Sequence, residues 1–207
     1  MSLDHPIVRQ SFAIIDREVK KHDLNSTEYA IARRVIHSTA DFDYLDLLEF
    51  KHNAISSAIN ALQYGVPIVT DVTMVRQGIR TMVGKTFDNP IIAAIDLVQK
   101  AIPGKTRAET GLLRCWSKYP DAIYVIGNAP TALIALCECI AQQDEWHKTV
   151  PPLIIGAPVG FVSVTESKKA LKELEVPQII IRGRKGGSPV AAAIVNALLV
   201  LAKEKTK

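Results

Sequence analysis

Three apolar runs in the second half of the chain, each ending in a glycine-bearing loop and followed by a helical pattern, restrict the fold most. Residues 122–126 run into Gly127-Asn128-Ala129-Pro130-Thr131, 153–155 into Gly156-Ala157-Pro158-Val159-Gly160, and 178–181 into Arg182-Gly183-Arg184-Lys185-Gly186-Gly187-Ser188. Repeated strand–loop–helix units build a parallel sheet with helices on both faces, joined by right-handed crossovers. Two earlier runs, 66–70 and 91–95, bring the expected sheet to about five strands. The expected class is therefore a three-layer α/β fold with a mainly parallel sheet, and one domain covers 1–207. Open sheets of this kind hold ligands outside the carboxyl ends of their strands. The loops at 70–76, 127–131, 156–160 and 182–188 should thus converge on one edge.

The first third of the chain reads as helices. A helix over 7–20 follows Pro6, with Phe12, Ile15 and Val19 turned inward and Ser11 early in it. Asn25 followed by Glu28 has the spacing of a capping box and predicts a helix over 26–38. On it Tyr29, Ala32 and Ile36 form an apolar stripe beside Ile31 and Val35, which leaves Arg34 and His37 on another face, one turn apart. Imidazole is the side chain that exchanges a proton near neutral pH without large tuning. His37 is therefore the acid/base candidate, and the competing reading is a helix-end histidine satisfied by a carbonyl or by water. His5, His22, His52 and His147 lie in polar or terminal settings and are expected to be solvated. A third helix is expected over 50–64, stopped by Gly65. Further helices are expected from Thr106 to about 116, from the 127–131 loop to about 146, from about 166, and from Pro189.

The formal charge of +4 is scattered and has no basic run with interleaved aromatics, so nucleic acid is not the indicated partner. Such an excess suits an anionic small molecule. Three cysteines, an odd number, speak against a disulfide framework and for a reducing, cytoplasmic setting. Cys137 and Cys139 are two apart on an expected helix and make a poor metal pair. Asp4 and Arg9 interrupt any leader-like apolar run. The apolar stretch at 190–202 is shorter than the ~20 residues that span a bilayer, so no membrane role is expected, and it reads as a core element or an interface.

Each loop carries two readings. Gly186 and Gly187 free the backbone, Ser188 can cap and Pro189 suits a first helical turn. Amides there would take a carboxylate or phosphate, with Arg182, Arg184 and Lys185 adjacent, or the loop is an ordinary helix start on a basic surface. Asp71-Val72-Thr73 either presents Thr73 to a ligand or is a turn held by the Asp71 carboxylate. Arg107 is a surface residue unless its fork faces the cleft. The 127–131 loop lacks the dinucleotide fingerprint, and Gly84-Lys85-Thr86 lacks the strand and glycine of a P-loop, so neither cofactor class is expected. No nucleophile–base signature appears. One acid/base group, hydroxyls and arginines around an apolar cleft suit rearrangement of a large anion better than hydrolysis or redox chemistry.

Ser11-Phe12, Arg34-Val35-Ile36-His37, Asp71-Val72-Thr73-Met74-Val75, Gly127-Asn128-Ala129-Pro130-Thr131-Ala132-Leu133, Pro158-Val159-Gly160-Phe161-Val162 with Glu166-Ser167-Lys168, and Gly186-Gly187-Ser188 with Asn196-Ala197-Leu198 together resemble the precorrin-8X methylmutase (precorrin isomerase) family, in order and over nearly the whole chain. The resemblance implies a flavodoxin-like homodimer acting late in corrin-ring synthesis. It would move a methyl group between neighbouring ring-C carbons of precorrin-8X to give hydrogenobyrinic acid, or act on the cobalt-containing equivalent, without a separate cofactor. It implies His37 as the catalytic histidine and Ser11 and Arg34 as substrate contacts, followed by Thr73, Arg107, Gly127 and Asn128. After His37 this chain carries Ser38-Thr39-Ala40-Asp41, where many relatives carry smaller residues. Two other classes use similar loops: a tetrapyrrole carrier without chemistry, and a nucleotide-binding regulator.

Overall fold

The computed structural model describes Leu3, residues 5–144 and residues 149–206. Helix α1 (Pro6–Glu18) leads to α2 (Ser26–Thr39), the single turn α3 (Tyr44–Leu47), strand β1 (Leu48–Lys51) and α4 (Ala54–Gln63). The series β2 (Ile68–Thr70), α5 (Thr73–Thr86), β3 (Ile91–Ala93), α6 (Arg107–Lys118), β4 (Ile123–Ile126), α7 (Pro130–Ala141), β5 (Ile154–Gly156), α8 (Val164–Lys172), β6 (Gln178–Ile181) and α9 (Ser188–Glu204) follows. The capping box of α2 is present in full, with the Asn25 side chain accepting from Glu28 N–H and the Glu28 carboxylate accepting from Asn25 N–H. Helix α7 stops at Ala141, capped at Gln142, short of the expected end near 146; His147 lies outside the described residues.

The sheet has six strands in the order β1-β6-β5-β4-β2-β3. The five expected strands all form, in parallel. The additional one is β1, antiparallel to β6 with Leu48 opposite Ile181 and Lys51 opposite Gln178. The expected helix over 50–64 is thus corrected at its start. Leu48-Glu49-Phe50-Lys51 alternates with period two, as a strand does. His52 and Asn53 then take left-handed backbone angles (φ 52° and 56°), which an α-helix does not admit. Residues 94–97, partly expected as strand, form a 3-10 turn.

Alternate residues of the strands enter two cores. Ile68, Ile123, Val125, Ile155, Ile179 and Ile181 pack under α1, α2, α4, α5 and α9. Val69, Tyr124, Ile126, Ile154 and Ile180 pack under α6, α7 and α8. Both faces of the strands are apolar, which is why they read as continuous apolar runs. Helix α9 lies against α2, α4 and α5 and is buried along nearly its whole length, so 190–202 is a core element. Gly78 of α5 meets it closely, since a β-carbon there would stand 2.8 Å from the Ala192 β-carbon. No helix among the described residues is long and apolar enough to cross a membrane.

Topology places the candidate site. The chain leaves β2 toward β3 on one side, and the later strands add on the other, so strand order reverses between β2 and β4. At that reversal, carboxyl ends diverge and open a crevice. Because β1 runs antiparallel, its first residue lies at the same carboxyl edge. The end of α2 and the 40–47 segment are thereby carried there too: Arg182 N–H donates to Leu47 O (2.8 Å) and its guanidinium to Asp46 O (2.9 Å).

Candidate active site at the carboxyl edge of the sheet

Helix α2 stops at Ala40, whose left-handed conformation (φ 53°) forms the C-cap, with its N–H bonded to Ile36 O. Ile31, Ala32, Val35 and Ile36 are buried, which fixes the rotation of the helix. His37 in the last turn is exposed and Arg34 half-buried. The His37 ring meets Phe12 of α1 edge-on, 5.5 Å between centroids at 79°. The Arg34 guanidinium lies 5.3 Å from the Phe12 ring and that of Arg33 4.5 Å from it, within cation–π range. One buried phenylalanine therefore gathers Arg33, Arg34 and His37, and Ser11 precedes it on α1. Arg33 is also held by Asp16 (2.9 Å), which accepts from the Tyr29 hydroxyl (2.6 Å). His22, expected to be solvated, instead stacks on Tyr29 at 4.6 Å with Nδ1 buried.

A second cluster fills the reversal point. The Asp71 carboxylate, wholly buried, accepts N–H bonds from Gly127 (3.0 Å), Asn128 (2.8 Å) and Ala129 (2.7 Å). Burial pushes its carboxyl up from the usual range, and these amides with that of Val72 pull it back. Both oxygens act as acceptors toward N–H donors, so the group is held as carboxylate. Of the two readings of this turn, the carboxylate-held one is realised; Thr73 is exposed at the first position of α5, and Gly127 and Asn128 give their amides to Asp71. Arg107 opens α6 beside this cluster, because the Thr106 and Thr131 hydroxyls are 2.9 Å apart. Its guanidinium donates to Ile95 O (3.3 Å) and Val98 O (3.1 Å), fixing the loop after β3.

The third group is the β6–α9 loop. Gly187 N–H donates to Ala157 O (2.8 Å). The Gly187 amide, expected to await an anion, is thus used within the protein. Gly187 rather than Ser188 is the N-cap of α9, and no side chain caps it; Ser188, buried, lies against Gly127. Lys185 bonds both Asp41 and Asp43 (2.6 Å each), which ties this loop to the chain just beyond His37. The ion pair holds the Asp41 carboxyl below the usual carboxylate range. Beneath the loop, buried Lys168 donates to Gly183 O (2.8 Å) and Lys185 O (2.7 Å), and burial lowers its pKa to about 8. Sequence reasoning named Lys185 only as a charge beside the loop and Lys168 only within a motif, and gave neither its structural partners. The acidic 41–46 run and the basic 182–185 loop carried a signal for Lys185, whereas Lys168 gave only its place in a motif.

A cleft of about 480 Å3 lies elsewhere, between the start of α2 and the β1–α4 turn. It is at the opposite edge of the sheet from these groups, so its size does not mark the site.

The fold is that of a doubly wound α/β protein, with the His37 end of α2 tied to the carboxyl-edge loops and the reversal point closed by an internal carboxylate. The family model for precorrin-8X methylmutase matches residues 6–201, and the chain belongs to that family. It is 57% identical to the cobalt-precorrin-8 methylmutase of Synechocystis sp., with 97% of each chain covered. It is 38% identical to that of Leptospira interrogans, covering 99% of this chain and 96% of the other. Among solved structures, the precorrin-8x methyl mutase of Thermus thermophilus superposes with a TM-score of 0.86 at 37% identity, covering 96% of both chains.

Proposed function

We propose that this chain is an isomerase of corrin biosynthesis that moves a methyl group between adjacent ring-C carbons of precorrin-8X or cobalt-precorrin-8, and that His37 is its proton donor and acceptor. The observation that carries the reading is the exposed His37 imidazole, braced by Phe12 and one turn from Arg34, on a helix end tied to the sheet's carboxyl-edge loops. A sigmatropic methyl shift needs no nucleophile. A proton or hydrogen bond given to a ring-C nitrogen redistributes charge through the conjugated system and lowers the barrier, and the same imidazole takes the proton back. Arg34 and Ser11 hold carboxylate arms and orient the ring, with Thr73, Arg107, Asn128, Gly186 and Ser188 along the rest of the edge. Any cobalt is part of the substrate.

The five parallel strands, read in chain order, lie 2-1-3-4-5, which supports the flavodoxin-like assignment. A single domain over 1–207, a cytoplasmic location and a homodimer complete the proposal. The test is incubation with metal-free and cobalt-containing substrate under multiple turnover, followed by absorbance. His37→Ala should bind ligand yet lose at least ~100-fold in kcat. Normal turnover by that variant would overturn the role of His37, and stoichiometric binding without turnover by the unaltered protein would make it a carrier.

A further inference from the structure

Phe161 and Val162 are 82% and 83% exposed, side by side in the β5–α8 loop at the carboxyl edge. The loop is anchored. Gly160 N–H donates to Arg184 O (3.3 Å) and Gly187 N–H to Ala157 O (2.8 Å), while Lys168 ties the opposing loop through Gly183 O and Lys185 O. A β-carbon at Gly186 would collide with the Ala157 and Pro158 carbonyls, so only glycine lets the two loops lie this close. The apolar pair is thus held out into water by its surroundings, and a fixed apolar patch of this kind marks a binding surface.

Its size and charge indicate the occupant. Taking ~200 Å2 for a whole phenylalanine, the pair exposes on the order of 300 Å2. That is well short of the ~800 Å2 each partner gives to a stable protein interface. The Arg184 guanidinium sits 5.6 Å from the Phe161 ring, and among the described residues it has no carboxylate within ion-pair distance. An aromatic face beside an uncommitted guanidinium matches a flat apolar ring system bearing carboxylates. The neighbouring Lys185 is clamped to Asp41 and Asp43, so the patch and the His37 end of α2 share one rim.

We propose that Phe161 and Val162 form a platform for one face of the corrinoid ring, and that Arg184 anchors one of its carboxylate arms. The proposal rests on the methylmutase reading and adds a substrate contact to it. Binding of hydrogenobyrinic acid and of its cobalt counterpart, cobyrinic acid, is measured by titration calorimetry for the unaltered protein and for Phe161→Ala, Val162→Ala, Phe161→Leu and Arg184→Gln. Steady-state turnover and sedimentation accompany each. Phe161→Ala should weaken binding about ten- to a hundredfold and raise KM in step, with kcat within about threefold. Val162→Ala should do so less, Phe161→Leu should restore most of the loss, and Arg184→Gln should weaken binding about tenfold. Unchanged affinity and KM in Phe161→Ala and Arg184→Gln would overturn the platform while leaving the methylmutase reading intact. A shift in oligomeric state with unchanged affinity would reassign the patch to a protein interface. An unaltered protein that neither binds nor converts corrinoids would end both.

Discussion

Replacing Asp71 with alanine removes one carboxylate from three amides, and the structure sets the cost. The donors at Gly127 and Ala129 are buried, and that at Asn128 is partly buried. A buried N–H left without a partner costs about 1–3 kcal/mol, whereas a partly buried one recovers water. Two orphaned donors and the loss of a charged acceptor, less the relief of no longer burying a carboxylate, give about 4 kcal/mol. For a chain of this size that lowers Tm by roughly 8–16 °C. The void left is shaped for a small anion and lined by three N–H groups, so formate should refill it. At tenfold its Kd, formate would return about 1.4 kcal/mol, or a few degrees. The assay is thermal unfolding in sodium formate against sodium chloride at equal ionic strength. Asp71→Asn keeps the shape but sets an NH2 against amide donors, and it should lose about as much as alanine does. A wild-type Tm in either variant, or equal effects of formate and chloride on Asp71→Ala, would refute the reasoning.

Lys168 makes stability depend on pH in a predictable sense. The unfolded lysine keeps its proton to about 10.5 while the folded one releases it near 8. The unfolded state thus binds more protons between those values, and stability rises with pH by about 1 kcal/mol from pH 8 to 9. Lys168→Met should lack this rise in urea titrations at pH 7, 8 and 9, and the contribution of Cys115 and Cys137, whose thiols burial pushes up, cancels in the comparison. Gly84 of α5 faces open space, so Gly84→Ala should stabilise by about 0.4–1 kcal/mol. Gly111 of α6 lies against the Ala94 carbonyl, so Gly111→Ala should destabilise by about 2 kcal/mol or more; equal unfolding midpoints for these two variants would contradict the packing.

Local signals sufficed wherever one periodicity acted alone. The capping box at Asn25 and Glu28 was legible from its spacing, and the strands 123–126 and 179–181 because burial on both faces leaves them a continuous apolar run. Strand β1 was hidden because its partner, β6, is remote in sequence and its four residues abut a true helix. The placement of Arg34 and His37 off the core followed from their position beside the buried stripe, and the binding of Asp71 to its turn was one of two readings. What no local pattern revealed was which amides were already taken. Gly127, Asn128 and Gly187 all donate within the protein, to Asp71 and Ala157, and those acceptors come from other elements.

The antiparallel pairing of Leu48–Lys51 with the final strand also has a temporal meaning. The histidine helix is made early, yet the strand that fixes its far end follows about 130 residues later, Leu48 pairing with Ile181. The rim beside His37 therefore cannot close on a nascent chain until that strand has emerged, and contacts of such long range make for slow folding. Until then the edge of β6's future neighbour stands open, which makes this pairing the step most exposed to misassembly.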